Sequence, residues 1–282
     1  MRKLEYQINV AGKIGVIFAV LLGLTACDGS RQTGDLENQE AQSIFEVAEA
    51  ELESNRPEDA AALFLEVERL YPYSEWASRA LMMAAISYHA DRDYENARVT
   101  AQRFLDFYPG EEDAPRAQFL LALSYYDQID EVGRDQGITF QALQALRDVI
   151  ERYPNSEFAQ DAILRFDLAF DHLAGKEMEI GRYYLRGQHY TAAINRFRLV
   201  VEEFQTTTHT PEALMRLVEA YIALGLTDEA RTAGAILGYN FQSSPFYDDA
   251  YRQLTGQNLS PEASGESWLQ EVWQQTIQGD WL

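Results

Sequence analysis

One phrase, returning along the chain, limits the fold more than any other feature. An alanine is followed seven residues later by an apolar side chain and eleven residues later by an aromatic. The copies are Ala60–Val67–Tyr71, Ala97–Phe104–Tyr108, Ala142–Val149–Tyr153, Ala193–Val200–Phe204 and Ala230–Leu237–Phe241. In the first three a proline follows the aromatic at once: Pro72, Pro109 and Pro154. Residues seven apart share one helical face. Alanine suits the point where two helices cross, and proline stops the second of them. The Ser-, Asp- and Asn-rich residues that come next are expected to cap the following helix. The helix before each alanine has its own register. Tyr88, Tyr184 and Tyr221 stand nine residues ahead of their alanines, with the small Ala48, Ala85 and Gly181 three residues before that position, and Glu51 replaces the tyrosine in the first copy. Such a chain folds as stacked helix pairs, each burying its apolar face against its neighbours.

The alanines are spaced 37, 45, 51 and 37 residues apart. This resembles the tetratricopeptide repeat, a unit of two helices in about 34 residues. The expectation is an all-α superhelix of five repeats, about 40–73, 74–110, 111–155, 156–205 and 206–254, or roughly ten helices, followed by a linker and a tail helix in 255–282. Two insertions break the period. Asp127 to Ile138, with Gly133 and Gly137, widens the third repeat, and Phe158–Gly187 reads as one long helix with Gly175 as the point where a kink would fall. Gly234 and Gly238 lie on one face; each is worth about 1 kcal/mol less than alanine in a helix, so a close helix approach is expected there.

The amino terminus reads as an address. Arg2, Lys3 and Lys13 precede the uncharged run Ile14–Leu24, too short for a membrane span of about 20 residues but fitting a secretory signal peptide. It ends in Leu24-Thr25-Ala26-Cys27, which looks like a bacterial lipobox. Cys27 is the only cysteine, which excludes a disulfide framework or a Cys-based metal site and leaves lipid attachment as its expected role. Residues 1–26 would be removed, 27–39 would form a lipidated linker, and the chain that remains would carry −24 rather than −22. That charge excludes nucleic acid, which needs clustered Lys and Arg. It equally excludes a basic face lying on anionic lipid, so the membrane contact is the lipid anchor. Asp28 follows the cysteine directly; in enteric bacteria this marks inner-membrane retention, so the destination membrane stays open.

Residues that could carry chemistry are sparse. The histidines His89, His172, His189 and His209 have no paired spacing, and no phosphate loop or nucleophile motif is present. No enzyme activity, metal or cofactor is expected. A binding surface is the alternative. Counting back from the alanines places Phe45, Glu49, Arg79, Met82, Met83, Ile86, His89, Arg116, Phe119 and Tyr126 on the concave face of the first three repeats. The face is apolar and aromatic, with Arg79 and Arg116 at one edge, and suits an extended peptide ending in a carboxylate. In the tail, Trp268, Leu269, Val272, Trp273 and Ile277 form an apolar stripe, read either as a helix docked on the last repeat or as a partner-binding helix.

A lipobox followed by five such repeats resembles the BamD family of outer-membrane β-barrel assembly lipoproteins. The fourth unit carries the specific likeness: Tyr183-Tyr184, Arg186-Gly187 and Tyr190-Thr191-Ala192-Ala193-Ile194-Asn195-Arg196. Arg134-Asp135-Gln136 in the insertion and Tyr153-Pro154-Asn155-Ser156 also match, whereas the tryptophan-bearing tail and Asp28 depart from the pattern. The resemblance implies a non-enzymatic, lipid-anchored subunit of the Bam complex, facing the periplasm from the outer membrane beside other Bam lipoproteins. It implies docking on the barrel protein BamA through the C-terminal repeats, with Arg186, Asn195 and Arg196 as interface residues. It also implies that the N-terminal repeats receive the C-terminal signal of unfolded outer-membrane proteins. A periplasmic repeat lipoprotein scaffolding cell-envelope or peptidoglycan enzymes is the alternative.

Overall fold

A computed structural model describes residues 40–129, 136–262 and 268–269. The expected signal peptide, Cys27, the linker, Arg134, Asp135 and most of the tail lie outside the described residues. Among the described residues the chain forms α1 (Ala41–Glu53), α2 (Pro57–Leu70), α3 (Glu75–Ala90), α4 (Tyr94–Phe107), α5 (Ala114–Tyr126), α6 (Gly137–Arg152), α7 (Ala159–Arg186), α8 (Tyr190–Glu203), α9 (Thr210–Leu224), α10 (Thr227–Asn240) and α11 (Pro245–Gly256). Each helix packs on the next, and α1, α3 and α5 also touch one another along a single layer. This is the all-α tetratricopeptide superhelix that the spacing predicts.

The alanine frame is visible atom by atom. Ala60, Ala97, Ala142, Ala193 and Ala230 have no exposed surface, and Val67, Phe104, Val149, Val200 and Leu237 are buried beside them. The aromatics Tyr71, Tyr108, Tyr153, Phe204 and Phe241 each end their helix in one conformation, with φ between −123 and −133°. In every case the amide bonds back to the carbonyl of the buried residue four positions earlier, at 2.8–3.0 Å. The hydroxyls that follow mostly work differently from the expected forward caps. Ser74, Ser156 and Thr207 donate back to the carbonyls of Tyr71, Tyr153 and Phe204 at 2.8–2.9 Å. Only Ser244 accepts from the helix it precedes, from the Phe246 amide at 3.3 Å. The short turn lets each hydroxyl reach the preceding carbonyl before the next helix has begun.

Turns inside the pairs share a second device. Asn55, Arg92, Gln188 and Gly225 take positive φ, five residues before the buried alanine in each case. The next amide then returns to the carbonyl of Glu51, Tyr88, Tyr184 or Tyr221 at 2.9–3.0 Å. This is the Schellman closure of a helix C-terminus, which favours glycine or asparagine. Among the described residues the third pair shows no such closure; the Asp127–Ile138 insertion stands at that point. At Glu51 the missing tyrosine is replaced by a buried carboxylate that pairs with Arg56.

The helix α7 is continuous over 28 residues and includes Gly175 in its buried stripe. Its second half pairs with α8 and its first half packs on α6. The turn after α8 returns to its middle, where Phe170 meets Phe204 at 4.9 Å and Asp171 accepts from the Thr208 amide at 2.9 Å. Gly234 and Gly238 admit α11 closely, as expected: an added Cβ would stand 2.6 Å from Leu254 and 2.7 Å from Tyr247. After α11, Asn258 repeats the left-handed turn and the Leu259 amide bonds to the Leu254 carbonyl at 3.0 Å.

Candidate binding surfaces

Three of the residues expected in the N-terminal groove are consumed by packing. Phe45 is 2% exposed, its ring 5.1 Å from Phe64 and 5.0 Å from Trp76. Met82 lies in the core, and Phe119 is stacked on Phe158 at 5.4 Å. Helical periodicity assigns a face but not a depth, and here Trp76 and Phe158 from the following repeats come over that face. Arg79 lies over the Trp76 and Phe45 rings at 4.9 and 5.4 Å, so its guanidinium is engaged on aromatic faces. Arg116 is exposed, 4.0 Å from Asp113. Glu49 is exposed, and Met83, Ile86 and Tyr126 are half-buried. His89 Nε2 is 3.1 Å from Asp127 Oδ2 but poorly aligned for a hydrogen bond, and its ring meets the edge of Tyr94. The accessible part of this face is therefore Glu49, Arg79, Met83, Ile86, His89, Arg116 and Tyr126.

A second surface is built on α8. Tyr184, Ala192, Asn195, Arg196, Arg198, Leu199 and Glu202 line an open cleft of about 450 Å³. Arg196 bonds through Nη1 to Glu177 on α7 at 3.0 Å, and Arg198 bonds through Nε to Glu202 at 2.7 Å. These charge-assisted pairs hold Arg196 and Arg198 where they line the cleft. Asn195 is exposed. Arg186 is exposed at the far end of α7 and does not line the cleft, so the structure brings together only two of the three residues expected there. Leu199 is shared with a second cavity of about 410 Å³, walled by Phe140, Leu143, Arg147, Phe170 and Glu177 among others. Arg182 ties α7 to α9 through Glu212 at 2.8 Å.

The described part of the tail reaches this surface. Trp268 donates from Nε1 to the Tyr221 hydroxyl at 3.2 Å, the Arg198 guanidinium lies 4.7 Å from its ring, and Leu269 is fully buried. Sequence reasoning missed Arg198, which has no motif around it; its only signal is its place two residues after Arg196. Burial pushes the Tyr221 phenol up from its ordinary value, with the Trp268 bond pulling the other way. Among the described residues no group of three or more His, Cys, Asp or Glu could hold a metal ion, and no helix is long and apolar enough to cross a membrane.

Among the described residues, stacked helix pairs with open clefts between them define a tetratricopeptide-repeat scaffold. Residues 37–236 match the family model YfiO, described as an outer membrane lipoprotein. A relative in Caulobacter vibrioides, called outer membrane protein assembly factor BamD, is 44% identical over 255 residues, covering 89% of this chain and 84% of its own. A Rickettsia prowazekii relative of the same name is 38% identical, covering 85% of this chain and 95% of its own. The chain belongs to this BamD (YfiO) family of outer-membrane lipoproteins. Among solved structures, a thermophilic tetratricopeptide protein from Thermus thermophilus aligns with 20% identity and a TM-score of 0.36, over 78% of this chain and all of that one.

Proposed function

We propose that the protein is a non-enzymatic subunit of the β-barrel assembly complex of the outer membrane, anchored through Cys27 and facing the periplasm. It docks on a BamA-like protein through the α8 surface and passes on unfolded outer-membrane proteins whose C-terminal segments meet the N-terminal groove. The observation that supports this best is the α8 cleft, where Asn195 and Arg196 stand together on the α-helix that carries the motif resembling the BamD family. Its mixed polar and apolar lining suits a folded protein partner rather than a small metabolite. Binding, orientation and handover are then the whole of its chemistry.

The test is an affinity pull-down from detergent-solubilised membranes. The expected result is recovery of the barrel protein with the intact chain and a loss of about tenfold with Arg196→Glu, which sets two carboxylates against each other beside Glu177 and reverses the charge offered to the partner. The added Glu177→Arg change restores the internal pair and separates a local effect from a partner effect. Recovery of cell-wall enzymes without the barrel protein would sink this reading.

A further inference from the structure

Ala192, Asn195, Leu199 and Glu202 line the α8 cleft at spacings of three and four, so they form one ridge of the helix. About 100° of turn per residue puts Arg196 and Arg198 on opposite flanks of that ridge. Each is held from outside α8. Arg196 bonds to Glu177 on α7 at 3.0 Å. Arg198 lies 4.7 Å from the ring of Trp268, on the chain that returns after α11. What α7 does for the first arginine, the returning chain does for the second.

The hold on Trp268 does not depend on Arg198. Its Nε1 donates to the Tyr221 hydroxyl on α9 at 3.2 Å, and Tyr221 is itself buried. The next residue, Leu269, has no exposed surface and shares a core with Phe197, Leu217 and Leu237. Upstream, Arg231 on α10 donates from Nε to the Ser260 carbonyl at 3.1 Å and pairs with Glu262 at 2.6 Å, while Pro261 lies against Gly234. The indole is thus a fixed platform, and tryptophan is the side chain that attracts a guanidinium most strongly through its face. Glu202 takes the Arg198 Nε proton at 2.7 Å. Among the described residues the Nη groups have no hydrogen-bond partner, so they are what this arginine can offer to another molecule. A long side chain already held in place need not be ordered when a partner arrives, which is worth about three- to tenfold in affinity.

We propose that Trp268 is a positioning residue of the α8 surface, holding Arg198 ready to meet a carboxylate of the docked protein. The docking rests on the function proposed above; the hold of Trp268 on Arg198 does not. The test uses the full chain in detergent, with the periplasmic part of the BamA-like protein as the probe in biolayer interferometry. Arg198→Ala should weaken binding about tenfold and Trp268→Ala about three- to tenfold. The two changes together should cost no more than Arg198→Ala alone, since the indole acts through the guanidinium. Trp268→Phe, which keeps a ring beneath the cation, should recover most of the affinity. Without any partner, the ring current of the indole should displace the Arg198 side-chain proton resonances in arginine-labelled protein, and Trp268→Ala should return them. Unshifted resonances in the intact chain overturn the inference, and so does unchanged affinity with Trp268→Ala. Additive losses in the double variant also overturn it, because Trp268 would then touch the partner itself or act through the fold. If Arg196→Glu weakens binding and Arg198→Ala does not, the docking face stands and Arg198 and Trp268 leave it. If neither change weakens binding, the docking face falls as well.

Discussion

At the scale of single residues, the stack depends on contacts with no spare room. Gly181 on α7 is one of them: a Cβ there would overlap the ring of Phe197, which has no exposed surface. Gly181→Ala should therefore lower unfolding stability in urea by about 1–3 kcal/mol, as overpacking does, despite alanine's better helix propensity. Shortening the ring with Phe197→Leu in the same chain should recover part of that loss. Gly110→Ala meets nothing within 4 Å and should stay within about 0.5 kcal/mol of the parent. Arg92 and Gln188, in contrast, hold left-handed backbone without being glycine or asparagine, a strain of about 1–2 kcal/mol each. The repeat geometry around them over-determines the turn.

At the scale of the element, the second helices were legible because their signals are local. Alanine, apolar residue and aromatic recur at fixed offsets, and each sits where the helix crossing or helix end requires it. The inner turns were less legible, since Arg92 and Gln188 give no hint of positive φ. Depth was not legible either: Phe45, Met82 and Phe119 share the groove face by periodicity, yet residues of neighbouring elements bury them. The cleft on α8 was half legible, through Asn195 and Arg196, while its contact with Trp268 joins residues 70 positions apart. The burial of Tyr221, which outweighs its bond to Trp268, carries a pH signature. The raised Tyr221 phenol keeps its proton to higher pH in the folded chain than in the unfolded one. Its contribution is complete below the ordinary tyrosine value near 10 and is lost as pH climbs beyond it. Stability measured from pH 9 to 11 should fall with rising pH, and Tyr221→Phe should fall less steeply.

At the scale of the whole molecule, two faces lie on different parts of one stack: a groove on the first three helix pairs and the cleft on the fourth. Repeat arrays are held by neighbour contacts, so each face can be altered with little effect on the other. Met83→Glu with Ile86→Glu changes half-buried side chains without opening the core, as a change at Phe119 would. It should weaken binding of a peptide ending in phenylalanine about tenfold, or about 1.4 kcal/mol, in fluorescence anisotropy. Equal affinity would move the peptide site elsewhere, and retained recovery of the barrel protein would show the cleft untouched.

The unbroken α7 gives these separate faces a mechanical relation. Its 28 residues span about 42 Å at 1.5 Å each. One end is gripped beside Tyr126, where Arg165 lies over the ring, and the other is clamped by the Arg182–Glu212 pair. On the function proposed above, a pull on a chain held at the N-terminal groove would reach the Arg182–Glu212 end through one continuous helix.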